Sequence, residues 1–340
     1  MNGYMGKILR VDLSAGEMRD EPLNEEYARA FVGGSGLAAR IIYDMIDGNT
    51  DPLGPENPLV FMTGPLVGTA MPSAGRCSVC ALSPLTRIWG EANTGGFFGP
   101  KLRFAGYDGV VITGQAKKPV WLSIVNGRAE LHDAVDMWGS DTYATQEHVR
   151  QAMSEPKARV ACIGVAGENQ VKMAAVMNDR GRAAGRTGMG AVMGSKKLKA
   201  IVVRGSANVP LADPDRLKTV VRDIIADLDE AILPTALRLA GTAGTMDALL
   251  MYGDVPIRYY QQGEWDNADN LSGILMTEQY LNKRYACYRC PIGCGRETRA
   301  PSYGLDKVDG PEYETLGAVI GHTRCSVPLR ASPCPPGGRS

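Results

Sequence analysis

The first part of the chain alternates short hydrophobic runs with glycine-containing turns. Short runs that are rich in β-branched residues predict β-strands rather than helices. The predicted strands are Lys7–Leu13, Leu59–Thr63, Cys77–Leu82, Gly109–Thr113, Val120–Val125, Val160–Ile163 and Ala200–Arg204. This pattern predicts a strand-rich N-terminal domain over residues 1–208.

The hydrophobic pattern changes to a helical one after Asn208. Asp213 and Pro214 are typical of the N-cap and the first position of a helix, and the apolar positions that follow form a single stripe at helical spacing. They are Leu217, Val220, Val221, Ile224, Ile225 and Leu228. Further helices are predicted at Thr245–Met251 and Thr277–Tyr285, and the pattern after Glu312–Ala318 suggests another. We therefore predict a mostly α-helical, incomplete second domain over residues 209–318.

Residues 319–340 form an atypical tail, crowded with Pro and Gly and without an apolar period. Such a composition is typical of a disordered segment. The alternative is a truncated or frame-shifted end, which we favour.

Two segments of the first domain resemble each other. Gly95–Leu102 precedes Tyr107–Gly114, and Gly190–Leu198 leads into Lys199–Gly205. Each consists of a glycine-rich loop, a short Lys-Leu helix and a buried strand that ends in glycine. We predict an internal duplication that holds two similar halves of a ligand around a pseudo-twofold axis.

The composition excludes several partners. The 340 residues contain 37 Lys and Arg and 37 Asp and Glu, so no net charge attracts nucleic acid or an anionic membrane. The sequence shows neither a signal-peptide pattern nor an apolar stretch of membrane-spanning length. The eight cysteines are clustered rather than spread as a disulfide framework, which fits a reducing compartment. We predict a cytoplasmic protein without a nucleic-acid or membrane partner.

Three cysteines in a compact C-x-x-C-x-x-x-C pattern, Cys287, Cys290 and Cys294, are the main metal-binding candidates. Pro291 and Gly293 permit a tight reversal, so that one turn brings three thiolates to one centre. Iron–sulfur clusters usually take four cysteines, and the fourth often lies far away in sequence. Structural zinc, completed by His322 or Cys325, is the main alternative, and three buried cysteines without a metal are the other.

The other cysteines before Cys287 and the histidines are weaker candidates for a functional site. Cys77 and Cys80 lie at odd spacing on a predicted strand, so their side chains face opposite sides, and with Cys162 they are predicted to be core residues. The three histidines, His132, His148 and His322, form no pair with metal-binding or triad spacing.

Two glycine-rich loops are candidates for binding an anionic ligand. They span residues 90–99 and 178–190, and the second interleaves three arginines with small residues. Arginine pairs well with phosphate, and glycine lets the backbone close around a flat ligand. By contrast, the segment Gly33-Gly-Ser-Gly follows a helical stretch rather than a strand, so it is a weak dinucleotide fingerprint.

Together these motifs resemble the tungsten-dependent aldehyde:ferredoxin oxidoreductase family. The similar segments run from residue 3 to about residue 318. They are Gly3-Tyr-Met-Gly-Lys-Ile-Leu-Arg-Val-Asp-Leu, Gly90-Glu-Ala-Asn-Thr-Gly-Gly, Gly106-Tyr-Asp-Gly, Arg182-Ala-Ala-Gly-Arg-Thr-Gly-Met-Gly-Ala-Val-Met-Gly-Ser-Lys and Cys287-x-x-Cys-Pro-Ile-Gly-Cys-Gly.

The resemblance implies an α+β fold, in which a duplicated β-rich domain holds a tungsten (or molybdenum) bis-pterin and helical domains follow. The residues implied for the pterin phosphates and their bridging Mg²⁺ are Arg76, Asn93, Gly95, Arg182, Ala183, Gly185 and Arg186. Asn93 and Ala183 would offer backbone carbonyls to the Mg²⁺. Cys287, Cys290 and Cys294 would ligate a [4Fe–4S] cluster. Glu312 resembles an acidic residue near the metal, with Glu314 as the alternative register.

The implied reaction is oxidation of an aldehyde to a carboxylate with ferredoxin as the electron acceptor, and a homo-oligomer is among the expected assemblies. Family members are longer and take the fourth cluster cysteine from a region beyond the similarity, so neither Cys325 nor Cys334 is assigned that role. The alternatives are an inactive fragment, a zinc-stabilised non-redox binding protein and a related tungsten-dependent aromatic-ring reductase subunit.

Metal content distinguishes these alternatives. We expect the purified chain to contain iron with tungsten or molybdenum and to show a brown chromophore, because thiolate-bound iron–sulfur clusters absorb in the visible range. Elemental analysis with an absorption spectrum is the measurement. Zinc alone would support the binding protein instead, and absence of any metal would support the inactive fragment.

Overall fold

The computed structural model describes residues 1–258, 260–265, 268–313, 315 and 317. The chain forms two compact units, and the first consists of Met1–Val221 together with Cys287–Cys290. The second runs from Arg222 to Ala286 and continues from Pro291. The predicted tail, 319–340, lies outside the described residues. Among the described helices, none is both long and apolar enough to span a membrane.

The first half of the first unit is a six-stranded sheet in the order β2-β1-β6-β3-β4-β5. Its strands are β1 (Lys7–Asp12), β2 (Glu17–Pro22), β3 (Leu59–Met62), β4 (Cys77–Leu82), β5 (Trp89–Thr94) and β6 (Gly109–Thr113). The pair β1–β6 is parallel and the other neighbours are antiparallel.

The second half repeats this topology strand by strand. Its sheet has the order β8-β7-β12-β9-β10-β11, and here β7–β12 is the parallel pair. The strands are β7 (Val120–Val125), β8 (Arg128–Asp133), β9 (Arg159–Cys162), β10 (Val176–Asn178), β11 (Arg182–Ala184) and β12 (Leu198–Arg204). The predicted internal duplication is therefore confirmed as a repeated six-strand arrangement.

Helices cover both faces of the two sheets. They are α1 (Glu25–Phe31), α2 (Gly34–Tyr43), α3 (Phe98–Phe104), α4 (Thr142–Ala152), α5 (Val165–Glu168) and α6 (Met189–Ser195). Residues of both sheets share one central core with α3 and α6, while α1 and α2 cover the outer face of the first sheet and α4 that of the second. This arrangement confirms the predicted α+β class.

The strand cysteines occupy the cores, as predicted. Cys77 and Cys80 on β4 face different cores, one central and one under α1 and α2. Cys162 lies in the core under α4. Burial raises the pKa of the Cys77 and Cys162 thiols to about 12. These thiols are neutral at pH 7 and so are poor metal ligands.

The Gly106-Tyr-Asp-Gly segment stabilises the N-terminus through a buried ion pair. Asp108 lies 2.7 Å from the Arg103 guanidinium, and both side chains are buried. Asp108 also accepts hydrogen bonds from the backbone N–H groups of Met5 (2.9 Å) and Gly6 (2.7 Å). Arg103 donates to the carbonyls of Gly3 and Gly64. Each charge is thus compensated by several partners, as a buried ion requires.

The boundary between the units falls within α7 (Pro214–Glu230). Its N-cap is Asp213, as predicted, because the Asp213 carboxylate accepts a hydrogen bond from the Arg216 N–H at 2.9 Å. The predicted apolar stripe is present, although no residue of α7 is fully buried.

The second unit contains helices and a three-stranded sheet in the order β13-β14-β15. Its elements are α8 (Ile232–Ala240), α9 (Met246–Met251), α10 (Gly273–Tyr280), β13 (Leu281–Tyr285), β14 (Gly295–Ala300) and β15 (Leu305–Asp309). The predicted helix Thr277–Tyr285 is wrong in its second half, because Leu281–Tyr285 pairs with β14 instead. Residues 313, 315 and 317 are helical, and the helix suggested after Ala318 lies outside the described residues.

The two repeats meet where the end of β10 holds a loop of the first repeat, Thr94–Phe97, called here the first glycine loop. The buried Asn178 amide accepts a hydrogen bond from Thr94 Oγ1 (2.6 Å) and donates one to the Gly95 carbonyl (3.0 Å). The Asp179 carboxylate accepts from the Phe97 N–H. These contacts fix the loop to the second sheet.

The loop leaves no space for a side chain at Gly96. Its φ is +93°, and an added Cβ would clash with Asp179 Oδ2 and lie 2.9 Å from Asn178 Nδ2. Gly127 offers a matched control, because its φ is +84° and an added Cβ would have no neighbour within 4 Å. Both glycines therefore have a positive φ that other residues rarely adopt, but only Gly96 also lacks space for a side chain.

We expect Gly127→Ala to lower the free energy of unfolding by about 1–2 kcal/mol, the cost of the left-handed conformation. Gly96→Ala should lower it by about 3 kcal/mol or more, because the methyl group also displaces Asp179 and Asn178 from their hydrogen bonds. Urea denaturation followed by tryptophan fluorescence measures both. Equal losses in the two variants would contradict the contact between the repeats.

Lys196, directly after α6, is buried and has only carbonyl partners among its described hydrogen bonds. Its ammonium donates to the carbonyls of Pro55 (3.2 Å) and Gly114 (3.4 Å). Burial lowers the pKa of Lys196 from 10.5 to about 8, against the opposing effect of Glu56 and Asp12. Folding therefore releases a proton from this lysine between pH 8 and pH 10.5.

We expect the contribution of Lys196 to stability to rise with pH in that window, because the unfolded state binds more protons there. The free energy of unfolding of the native chain minus that of Lys196→Met should increase by about 3 kcal/mol between pH 8 and pH 10.5. Urea denaturation at a series of pH values measures it. A difference that does not change with pH would show that Lys196 keeps its ordinary pKa.

Candidate functional site

The predicted carbonyl donors Asn93 and Ala183 occupy equivalent positions in the two repeats. Asn93 on β5 pairs with Ser78 on β4, and Ala183 on β11 pairs with Met177 on β10. In both repeats this residue precedes the last residue of the edge strand. The two edge strands contact each other, and both residues are exposed. The duplication thus presents two equivalent backbone positions on adjoining strands.

The two predicted glycines also correspond. Gly95 lies two residues after Asn93, and Gly185 lies two residues after Ala183. Gly185 is exposed, and an added Cβ would make only an ordinary contact, 3.7 Å from Ala183 Cβ. Gly95 is buried, and an added Cβ would lie 2.8 Å from Cys287 Sγ. The repeats therefore differ in what covers this glycine.

Arg76 lies beside Asn93. It directly precedes β4 and is exposed. Its guanidinium donates to the Asn93 carbonyl at 3.0 Å and to the Asn93 side-chain oxygen. A carbonyl oxygen has two lone pairs, so the Asn93 carbonyl keeps one acceptor position for a further partner. Of the predicted residues, Arg76, Asn93 and Gly95 are therefore gathered at one place.

The arginines of the second repeat lie at and after its edge strand. Arg182 is on β11 and half-buried, while Arg186 follows β11 and is exposed. Ala183 and Gly185 separate them in sequence. Arg186 thus presents its charge to solvent close in sequence to the two small residues.

Two of the three predicted cluster cysteines belong to the first unit, in the segment Cys287–Cys290. The Cys290 N–H donates to the Cys287 carbonyl at 3.1 Å, which closes a turn. Cys287 Sγ lies against Gly95, and the Ser73 hydroxyl donates to Cys290 Sγ at 3.4 Å. Both sulfur atoms therefore have a contact with the first repeat.

Cys294 is half-buried in the second unit, directly before β14. Its carbonyl lies close to Gly241, where an added Cβ would be 3.0 Å away. Within the part of the chain that the structure describes, no group of three His, Cys, Asp or Glu side chains is already arranged as a metal site. The assignment of the three cysteines as cluster ligands stays a prediction.

Glu312, the predicted acidic residue, is exposed in the second unit. The Thr242 hydroxyl donates a hydrogen bond to Glu312 Oε2. Thr242 begins the short 3₁₀ turn that precedes α9. This hydrogen bond orients the Glu312 carboxylate. The alternative residue, Glu314, lies outside the described residues.

Several neighbours of the site were not predicted as functional residues. They are Ser73, Asn178, Asp179 and Tyr288. Asn178 and Asp179 open the second glycine-rich loop, so their polar side chains before a run of arginines were an available signal. Tyr288 occupies a variable position of the cysteine pattern, and nothing in the local sequence distinguishes it.

The residues present fit the cofactors that the resemblance implies. Exposed arginines suit phosphate, and backbone carbonyls are hard oxygen donors that suit Mg²⁺. Gly185 is open, so the backbone of the second repeat is accessible to a bulky ligand. The partly buried thiols of Cys287 and Cys290 suit iron, unlike the fully buried thiols on β4 and β9.

Two family models match the chain. The N-terminal domain of aldehyde ferredoxin oxidoreductase matches residues 8–205, and domains 2 and 3 of aldehyde ferredoxin oxidoreductase match residues 219–326. The first match covers both repeats, and the second includes the three predicted cluster cysteines.

Individual relatives agree with these matches. The chain is 44% identical over 320 residues to a tungsten-containing aldehyde ferredoxin oxidoreductase of Thermococcus kodakarensis, across 94% of this chain and 53% of the relative. The Pyrococcus furiosus protein of the same description is 43% identical over 325 residues with the same coverage. The WOR-like subunit of aliphatic sulfonate oxidoreductase from Pyrococcus furiosus is 33% identical over 342 residues, across 94% of this chain and 54% of that protein.

A solved structure has the same fold. The active-site complex BamBC of benzoyl coenzyme A reductase, with bound 1,5-dienoyl-CoA, is similar at a TM-score of 0.80 and 27% identity, covering 94% of this chain and 50% of that chain. The chain spans about half the length of the curated relatives it matches. Because the N-terminal family model covers more than half of the chain and a second model of the same family follows it, the chain belongs to the aldehyde ferredoxin oxidoreductase family.

Proposed function

We propose that this chain is the pterin-binding and cluster-binding part of an enzyme that oxidises aldehydes to carboxylic acids and passes the electrons to ferredoxin. The observation that carries the proposal is the proximity of Arg76, Asn93, Gly95 and Cys287, which joins the predicted anion-binding loop to a predicted cluster ligand. Identity of 43–44% to tungsten-containing aldehyde ferredoxin oxidoreductases supports it.

The pterin is proposed to bind across the two adjoining edge strands. Asn93 and Ala183 would offer their carbonyls to a shared Mg²⁺, and Arg76, Arg182 and Arg186 would pair with the phosphates. Equivalent positions in two repeats suit a ligand made of two similar halves, because each half meets the same backbone arrangement. Gly185 leaves the backbone of the second repeat accessible, whereas the matching Gly95 is covered by Cys287.

The cluster is proposed to take thiolates from Cys287, Cys290 and Cys294. Ser73 is proposed to hold Cys290 in place, because its hydroxyl donates a hydrogen bond to the Cys290 sulfur. A cytoplasmic location, predicted from the clustered cysteines, is compatible with reduced thiols and stays a prediction, as does a homo-oligomeric assembly.

Oxidation of an aldehyde with water gives the carboxylic acid, two protons and two electrons. When bound, the tungsten pterin would supply the two-electron acceptor and the cluster the one-electron relay to ferredoxin. Glu312 is proposed as the general base that takes a proton from the water. The Thr242 hydroxyl donates a hydrogen bond to this carboxylate, and a carboxylate held in one orientation can act as a general base.

A related reductase is the second candidate function. The benzoyl coenzyme A reductase complex shares the fold at a TM-score of 0.80, and its bound ligand is 1,5-dienoyl-CoA. Its identity to this chain is 27%, against 44% for the aldehyde ferredoxin oxidoreductase of Thermococcus kodakarensis. Aldehyde oxidation is therefore favoured.

We expect Glu312→Gln to lower aldehyde-dependent reduction of ferredoxin by about 10²-fold or more, because an amide does not take up the proton. Tungsten and iron contents should stay at the native level, since Glu312 is not a proposed ligand. The measurement is steady-state turnover with a short-chain aldehyde, normalised to the metal content of each preparation.

Glu278→Gln is the matched control, because Glu278 is exposed on α10 of the same unit. Its turnover should equal that of the native chain. Unchanged turnover in Glu312→Gln would refute the role of Glu312. Metal-loaded native protein that fails to oxidise any aldehyde but reduces benzoyl coenzyme A would overturn the proposed function in favour of the reductase.

A further inference from the structure

We infer that Tyr288 is a positioning residue that docks the segment Cys287–Cys290 onto the first glycine loop and thereby sets the place of the Cys287 thiolate. The inference rests on the proposed function in one respect, the role of Cys287 as a cluster ligand. Tyr288 itself would contact neither the metal nor the substrate. It would act through the cysteine that precedes it and through the loop on which it lies.

Four contacts hold Tyr288 in the first unit. Its ring packs edge-on against Phe97, with 6.3 Å between the ring centroids, and against Phe104 at 5.9 Å. Its hydroxyl donates to the Gly68 carbonyl at 3.2 Å. Its backbone N–H donates to the Gly96 carbonyl at 3.1 Å. Contacts of the ring, the hydroxyl and the backbone together leave the side chain one orientation.

Two glycines permit the close approach of this segment. An added Cβ at Gly75 would lie 3.1 Å from Tyr288 Cβ and 3.3 Å from the Tyr288 carbonyl oxygen. An added Cβ at Gly95 would lie 2.8 Å from Cys287 Sγ. The segment therefore lies directly on the backbone of the first repeat, at the glycine proposed to face the pterin.

The surface beneath Tyr288 is itself held from the second repeat. The Phe97 N–H donates to Asp179, and the Asp179 carboxylate pairs with Arg159 at 2.8 Å. The Arg159 guanidinium also lies over the Phe97 ring, 4.4 Å from its centroid. Phe97 thus has little freedom to follow a displaced Tyr288, and loss of the tyrosine would release the segment rather than move the loop.

The opposite end of the segment is attached independently. The Ser73 N–H donates to the Arg289 carbonyl at 3.1 Å, and Ser73 Oγ lies 3.4 Å from Cys290 Sγ. Tyr288 and Ser73 therefore fix the two cysteines through separate contacts. Removal of Tyr288 should affect Cys287 more than Cys290. This asymmetry distinguishes positioning of one ligand from a general loss of packing.

The test uses the full chain, reconstituted anaerobically with ferrous iron and sulfide. Tyr288→Ala should lose iron to a chelator about tenfold faster than the native chain, the range expected when the support of a metal ligand is removed. The electron paramagnetic resonance signal of the reduced cluster and its midpoint potential should also change. Tyr288→Phe keeps the ring contacts but loses the hydroxyl. Its rate of iron loss should therefore lie between those of the native chain and Tyr288→Ala.

Gly75→Ala is the second variant, needed if Tyr288→Ala does not fold. Its methyl group pushes Tyr288 without removing any side chain, so the same spectroscopic change is expected with unfolding close to native. Gly48→Ala and Tyr303→Ala are matched controls, because an added Cβ at Gly48 has no neighbour within 4 Å and Tyr303 is 58% exposed in the second unit.

The outcomes separate the inference from the proposed function. The role of Tyr288 would be overturned if both Tyr288→Ala and Gly75→Ala kept the native iron retention, resonance signal and midpoint potential. That result would not contradict the proposed cluster. Native protein that binds no iron would instead overturn the cluster, and with it this inference. Loss of urea stability in the variants without any change at the cluster would also overturn it, because it indicates packing alone.

Discussion

The amide of Asn178 is the interaction on which the rest of the site depends. It is buried at the end of β10, where it accepts from Thr94 and donates to the Gly95 carbonyl. A buried amide that loses its partners costs about 1–3 kcal/mol, so the first glycine loop has one favourable position relative to the second sheet. Asp179, the next residue, holds Phe97 in the same loop. Arg76, Asn93 and Cys287 are all placed relative to a backbone that these two side chains hold.

Duplication of the six-strand arrangement yields equivalent backbone positions but not equivalent surroundings. Gly95 is covered by Cys287, whereas Gly185 is open. The residue after Gly95 is Gly96, which fits against Asp179 with φ at +93°, and the residue after Gly185 is Arg186. The two repeats therefore present equivalent backbone positions to the proposed pterin, but among the described residues only the first repeat contacts the segment Cys287–Cys290.

Hydrophobic runs predicted the central strands because those strands are buried on both faces, as in β6 and β12. The same signal missed β2 and β8, whose residues are mostly polar because they lie at sheet edges. It also missed β5, whose glycine and asparagine suggested a loop. Leu281–Tyr285 has no helix-breaking residue, and only its pairing with β14 makes it a strand.

The candidate site likewise has residues that local sequence spacing predicts and contacts that only the fold reveals. Spacing alone identified Cys287, Cys290 and Cys294 as metal-ligand candidates, because only a few residues separate them. It did not predict that the Cys287 sulfur lies on Gly95 or that Tyr288 packs on Phe97, since both contacts join residues far apart in sequence. The motifs named most of the proposed ligands, and the fold supplied the neighbours that hold them.

The proposed pterin contacts also bear on why one fold serves relatives with different substrates. The carbonyls of Asn93 and Ala183 and the open position at Gly185 are backbone features, which persist when side chains change. Such features hold a cofactor without selecting a substrate, so a fold shared at a TM-score of 0.80 with a benzoyl coenzyme A reductase complex does not decide the reaction. Selection of the substrate is therefore expected from side chains rather than from these backbone features. Among the proposed residues Glu312 is the one proposed to exchange a proton with water, and the Thr242 hydroxyl that donates a hydrogen bond to it would act on that step and not on cofactor binding.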